Sequence, residues 1–463
     1  MTSKREVIHD GRGANKLVRV VRQRRTSRFV VSIVVTSCLA VGIVPAAGAR
    51  GASTCQVKNL TQGTVGRPNL QAAINAAYPG DTISVKGVCV GSFTIDKDLT
   101  LVGHQTPDGA RPTLDGRGSS GRVVDVTARV TLTNLRITGG TNSPWNDPGG
   151  GISVGEGSTL RLNRSVVRGN KAEGGGGGID NFGRLVLNGS SVIRNKSGGV
   201  VNRGSMVMNG SSSVRGNTEG GIANVGRLFL NDRSTVRRNS GAFGGGIYVD
   251  GTLRMNDSSS VRGNQSNAGG GIFIDHGIVT MNDASSVSGN SVGEREEGGG
   301  IHMRGSSDPG ILVMRHSSSV SGNSADSGGG IFTERGIIIL LRHSSSVSGN
   351  VASFGAGVRL ENSSLTMSES SSVSGNTAGI LGGGIYVSNG TASPAGSVTL
   401  KDASQVYDNA AVTGGGIYVD DGTVSACDGT SVDEWIGTVE PNDPNDFLDS
   451  DVSSMSGGTG GCS

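Results

Sequence analysis

The sequence predicts an all-β protein, a single-stranded right-handed parallel β-helix (solenoid) closed at its start by an N-terminal amphipathic helix cap. Three observations carry that expectation. Glycine supplies 80 of 463 residues, well above the roughly 7% of ordinary domains. Aromatics amount to 9 Phe, 5 Tyr and 2 Trp, so the core must be thin and aliphatic. From residue 149 onward one unit also recurs: a glycine run, Ile or Val, two short alternating stretches, then Ser-Ser-Val-x-Gly-Asn. With 11 Pro and no G-x-y period the chain is not collagen. Charged residues at 17% and regularly placed aliphatics argue against disorder.

In chain order, residues 1–49 read as a signal peptide. A basic front ending Arg22, Arg24, Arg25, Arg28 precedes the apolar run Phe29 to Val44, broken by Pro45. That run is shorter than the roughly 20 residues a membrane span needs, and Ala47-Gly48-Ala49 supplies a cleavage pattern of small residues. Val35-Thr36-Ser37-Cys38 is a weak lipobox, but the apolar run continues past it. Arg24-Arg25 is similar to a twin-arginine signal, with a poor fit after it. Nine of the 41 Lys/Arg and two of the 38 Asp/Glu lie in 1–49, which leaves 32 basic against 36 acidic residues. The net charge thus turns from +3 to −4, and the case for nucleic acid disappears with the leader. No transmembrane segment is expected in the mature chain. Four cysteines remain, two near each end, which suggests Cys55–Cys89 and Cys427–Cys462 disulfides in an oxidising compartment.

Residues 50–140 read as the cap and first coils. Leu70 to Ala77 is a short amphipathic helix ended by Pro79-Gly80. Strands follow at 82–85, 93–95, 99–102, 113–115 and 130–137. A solenoid cannot leave the apolar face of its first coil open, which gives the helix its task.

Residues 141–420 read as the repeat coils. The residue after the glycine run falls at Ile152, Ile179, Val200, Ile222, Ile247, Ile272, Ile301, Ile331, Val358, Ile385 and Ile417. The closing asparagine falls at Asn170, Asn195, Asn217, Asn239, Asn264, Asn290, Asn323, Asn350, Asn376 and Asn409, with a valine three residues before each. Period-two alternation within units of 21 to 33 residues makes the elements strands. Coils stacked at about 4.8 Å would build a rod of about 50 Å, with asparagines laddered from coil to coil. Residues 421–463 read as a C-terminal cap and flexible tail.

The run NLQAAINAAYPGDTISVKGVCVGSFTIDKDLTLVG, residues 69–103, resembles the opening of pectate-lyase-like right-handed β-helix proteins. The GGG-I and V-x-G-N units are similar to the repeats of chlamydial polymorphic outer membrane proteins, and most resemble those of secreted bacterial right-handed β-helix repeat proteins. No membrane barrel of the outer-membrane kind follows Asp420. The resemblance, which covers about 55–420, implies the fold. It leaves function open among lyases, hydrolases, adhesins and structural proteins.

Function must then be sought in outward columns. Directly after the glycine-following residue runs Ser153, Asp180, Val201, Ala223, Tyr248, Phe273, His302, Phe332, Arg359, Tyr386, Tyr418. Two positions on runs Asp250, Asp275, Arg304, Glu334, Glu361, Ser388, Asp420. As an exposed strip, Tyr248, Phe273, Phe332, Tyr386 and Tyr418 beside Asp250, Asp275, Glu334 and Glu361 would suit a linear glycan, rings on sugar faces and carboxylates on hydroxyls. The competing reading is a stack of aromatics that stabilises the strands. A pectate-lyase-like polysaccharide lyase or glycoside hydrolase is the alternative function. It would rest on the same four acids, but short loops supply no cleft wall. No catalytic residue is assigned, and no cofactor or metal is expected. A further column, Asp232, Asp257, Asp283, His316, His343, Glu369, Asp402, contains a histidine pair able to meet a cation but reads as turn chemistry. Arg168, Arg215, Arg237 and Arg262 form a basic column that gives way to Ser288, Ser321 and Ser348, a solvated face able to touch an anionic cell-wall polymer. Gly289 to Gly293 matches G-x-S-x-G without the strand-to-helix elbow that motif needs. The expectation is a secreted, extracellular, non-catalytic surface, binding or structural protein that faces a polysaccharide or cell-envelope partner.

Overall fold

The computed structural model describes residues 54–63, 69–106, 109–142, 149–305, 310–388, 395–420 and 422–426. All belong to one compact unit, Ala52–Ser463. The signal segment 1–49, the Cys427–Cys462 pair and the tail beyond 426 lie outside the described residues.

The protein is a parallel β-helix. Each coil contributes one strand to each of three long sheets, of 15, 13 and 13 strands. The first strand of a coil follows the glycine run, as in Ile247–Val249. The second lies mid-coil, as in Thr252–Met255, and the third precedes the asparagine, as in Ser260–Arg262. We name the sheets glycine-run, mid-coil and asparagine sheets. Register is kept without slip: Ile247 pairs with Ile272, Leu253 with Val279, Val261 with Val287. Like therefore stacks on like, and Ile247, Val249, Leu253, Met255 and Val261 all point into a core that excludes water.

The start departs from pure repetition. Gln56–Asn59 pairs antiparallel with Thr82–Lys86, the one antiparallel pairing among the described strands, and is fastened by the Cys55–Cys89 disulfide. The helix forms at Leu70–Ala76, where the Asn69 side chain accepts the Ala72 N–H at 2.7 Å and so caps the first turn. It buries Leu70, Ala73 and Ile74 against the first coil. The strand expected over 130–137 is two, Arg129–Thr133 and Arg136–Thr138, because Asn134 takes φ 55° and turns the chain between sheets. Among the described residues no helix is long and apolar enough to cross a membrane. At 289–293 a strand, Ser291–Glu297, follows where an elbow would require a helix.

The asparagine ladder forms as expected. Asn264 donates to Asn290 Oδ1 at 3.0 Å and to the Val236 carbonyl at 3.1 Å, while its own N–H also reaches Asn290 Oδ1. The pattern holds from Asn170 to Asn409. Two further ladders were not anticipated: Asn181, Asn202, Asn224 in the glycine-run sheet, and Asn163, Asn188, Asn209, Asn231, Asn256, Asn282 along a turn. Each gives buried or half-buried amides the partners that water would otherwise supply.

Candidate functional site

The outward column of the glycine-run sheet is real in its register: Tyr248 pairs with Phe273, Phe273 with His302, His302 with Phe332, Phe332 with Arg359, Arg359 with Tyr386, and Tyr386 with Tyr418. Its expected exposure is overturned. Phe273 and Phe332 are 2% and 1% exposed, His302 4%, Tyr386 7%, and Tyr248 and Tyr418 are half-buried. In the neighbouring strip Asp275 and Ser388 are buried, Glu334 and Glu361 half-buried, and Asp250, Arg304 and Asp420 exposed.

The cause is the segment between each asparagine and the next glycine run. It folds back over the sheet and forms short parallel ladders of its own, Gln265–Ala268 with Ser291–Glu297 and Val351–Phe354 with Thr377–Leu381. The first glycine of each run then passes directly above the column. A Cβ added at Gly328 would lie 2.6 Å from the Phe332 Cβ, and one at Gly382 2.6 Å from the Tyr386 Cβ. With φ near 60° at both, only glycine fits there.

A sequence signal for this cover exists. Where the segment has two or three residues, as at 196–197, 218–219 and 171–173, the column holds Val201, Ala223 and Asp180. Where it has four or more, from 240–243 onward, the column holds Tyr, Phe, His or Arg. From Asp180 onward segment length and side-chain size change together because the one roofs the other.

Under this roof the column is a mixed stack. Phe273 stacks on Tyr248 at 5.8 Å and on His302 at 4.9 Å, and His302 meets Phe332 at 5.0 Å. The Arg359 guanidinium lies against Phe332, Phe354 and Tyr386 at 5.6, 5.9 and 5.1 Å. Every acid of the strip but Asp250 and Asp420 has a hydrogen-bonded partner or an ion pair on this sheet. Asp275 accepts from Tyr248 OH at 2.7 Å and from Arg304 at 2.7 Å. Burial pushes the Asp275 carboxyl up, but those two donors outweigh it and hold it below the usual range. Burial, then the bond to Asp275, pushes the Tyr248 phenol up. Glu361 takes Arg359 at 2.6 Å, and Glu334 has His302 Nε2 at 3.5 Å. Contact with His302 draws the Glu334 carboxyl down despite burial. Asp250, one of the two exposed acids, sits 3.4 Å from His276 Nδ1.

The turn column is what turn chemistry predicts. Asp232, Asp257, Asp283, His316, His343, Glu369 and Asp402 all have φ of 55 or 56°, a left-handed position. Asp257 accepts the Asp232 N–H at 2.8 Å, and Asp283 that of Asp257 at 3.1 Å. The His316 and His343 rings, half exposed, lie 4.8 Å apart with Asp283 and Glu369 outside them.

The asparagine sheet differs in kind. Its outward column brings Arg215, Arg237 and Arg262 together on successive coils, with Arg168 two coils earlier across Ile193. Arg194 and Arg238 stand beside them in the following turn, both left-handed and exposed. Among the described residues none of these six arginines forms an ion pair, although Arg203, Arg304 and Arg359 all do. Burial and the neighbouring Arg262, Arg215 and Arg238 push the Arg237 guanidinium below its usual value. A parallel file of hydroxyls, Ser191, Ser213, Thr235, Ser260 and Ser286, runs two positions away on the same face. Hydroxyl donors thus repeat once per coil, and positive charge once per coil from Arg215 to Arg262.

Comparison of the chain with protein-family models, with curated proteins and with solved structures gives no match, so its likeness to pectate-lyase-like and polymorphic outer membrane proteins rests on the quoted motifs alone.

Proposed function

We propose that this is an exported, non-catalytic rod that binds a linear carboxylated polysaccharide of the cell envelope along its asparagine sheet. The observation that carries the reading is the unpaired arginine file. Like charges stacked across a sheet destabilise it, whereas Arg203, Arg304 and Arg359 beside the glycine-run column each have a carboxylate partner. A ligand with one carboxylate per sugar would supply the missing counter-charges, because a coil spacing of about 4.8 Å is close to the length of one pyranose. The Ser/Thr file would donate to sugar oxygens between them. Export is supported by the leader-like residues 1–49 and by the Cys55–Cys89 disulfide. The glycan site first expected on the aromatic column moves to the other face, since its rings are covered by the chain itself.

The test is binding of a linear polyuronate, with neutral dextran and single-stranded DNA as comparison ligands, by calorimetry at low and high salt. Replacing Arg168, Arg215, Arg237 and Arg262 together by Ser, the residue the later coils carry, should weaken polyuronate binding about 30-fold while melting stays put. Undiminished binding by that variant, or tighter binding of the DNA, would overturn the proposal.

A further inference from the structure

One coil breaks the chemistry of the roofed column twice at facing positions. His302 stands where the coils on either side place Phe273 and Phe332. In the roof above it, the ladder position that is Phe243, Ala268, Ser327 and Phe354 in other coils is Glu297. Glu334, on the next coil, completes a group whose donor atoms all lie within 4.8 Å of one another.

The group is built and under-satisfied. The His302 side chain is 5% exposed and held between two phenylalanine rings, stacked on Phe273 and tilted against Phe332. Its Nδ1 is buried with no hydrogen-bond partner, and its Nε2 is 3.5 Å from Glu334, too long for a good hydrogen bond. The Glu297 side chain makes no hydrogen bond or ion pair among the described residues, and burial pushes its carboxyl up. The other charges nearby are already matched, Arg304 to Asp275 and Arg359 to Glu361. A buried imidazole and two half-buried carboxylates are therefore left with each other.

We propose that Glu297, His302 and Glu334 form a site for a first-row transition dication, of which zinc is the best fit. Imidazole beside carboxylate favours zinc over calcium or magnesium, which prefer all-oxygen shells. Zinc takes such donors at about 2.0–2.2 Å, so the two glutamates need close in by only about an ångström, a side-chain rotation. The ion would tie the roof, through Glu297, to two successive coils of the sheet. The rest of its shell would come from water.

The experiment uses the full-length chain, with Zn(II) followed by equilibrium dialysis and Co(II) by its visible absorption. Sister coils supply substitutions that preserve the fold: His302→Phe restores the aromatic stack and Glu297→Ala copies Ala268. Each should lower zinc affinity at least 100-fold, erase the cobalt spectrum and abolish the rise in melting temperature on adding zinc, with metal-free melting unchanged or higher. A His316→Ser/His343→Ser variant should keep the spectrum. Failure of the unaltered protein to bind zinc, or a cobalt spectrum that survives His302→Phe and vanishes in the His316/His343 variant, overturns the site.

Discussion

The coils from Ile152 to Val236 and those from Ile247 to Tyr418 share one interior and differ in where they carry their chemistry. In the earlier coils the glycine-run sheet bears small outward residues, Val201 and Ala223, under short connections, and the asparagine sheet bears arginines. In the later coils the outward arginines end at Arg262 and serine takes their place, while the glycine-run sheet gains large side chains and a roof. The scaffold therefore sets position and spacing only. Connection length decides whether an outward column is a surface or a second, thinner core.

If that is right, the two halves should respond alike to damage inside and differently to damage outside. Val214→Asp in the earlier coils and Val347→Asp in the later ones each bury an unpaired charge in the same inward column, and each should cost about 3–5 kcal/mol and collapse the strand signal in circular dichroism. Unequal losses would mean that the halves do not share a core. Phe332→Ala should cost about 3 kcal/mol in urea unfolding, as any buried aromatic does, whereas Val201→Ala, under a short connection, should cost about 1 kcal/mol or less. Equal costs at the two positions would refute the roof as a source of stability.

Acid sharpens the contrast further. Burial raises the Asp180 carboxyl, with Arg203 opposing, so its stabilising form is the protonated one and stability falls as pH rises from its ordinary 3.8 through the raised value. The Asp275 carboxyl is lowered, so its contribution is present above 3.8 and is lost as pH falls through the lower folded value. Stability profiles of Asp180→Asn and Asp275→Asn, each taken as a difference from the unaltered protein between pH 3 and pH 7, should slope in opposite directions. The smallest effect is expected at the arginine file: the fourfold change to Ser should stabilise by about 0.5 kcal/mol or less, since relief of like-charge repulsion is offset by the lost packing of half-buried side chains.

Much of this was legible beforehand because a solenoid converts sequence offset into spatial neighbourhood. Ten valines at one offset from ten asparagines place Val167 through Val406 in one inward column, and the ladder follows from the amide. The helix was legible from its amphipathic pattern, Leu70 and Ile74 one turn apart with Pro79-Gly80 beyond them. Exposure of the aromatic column was misread because alternation tells which side of a sheet a residue takes, not what lies beyond that side. Tyr386 is outward and still buried, since Gly382 and the segment before it close over it. Glu297 was missed for the same reason: it lies in a connection, where charge ordinarily means solvent. The second and third asparagine ladders hid among residues that turns use anyway.

The first ladder has a direction. The backbone N–H and the amide of Asn264 both find their acceptor on Asn290, one coil later, and Asn290 finds its own on Asn323. Every coil is thus left incomplete until its successor is laid down. Fraying should begin at the ends and travel like a zipper, since opening a middle coil severs bonds on both sides and opening a terminal coil severs them on one. Slow exchange of the buried asparagine N–H groups should accordingly peak near the centre of the stack and fade toward either end.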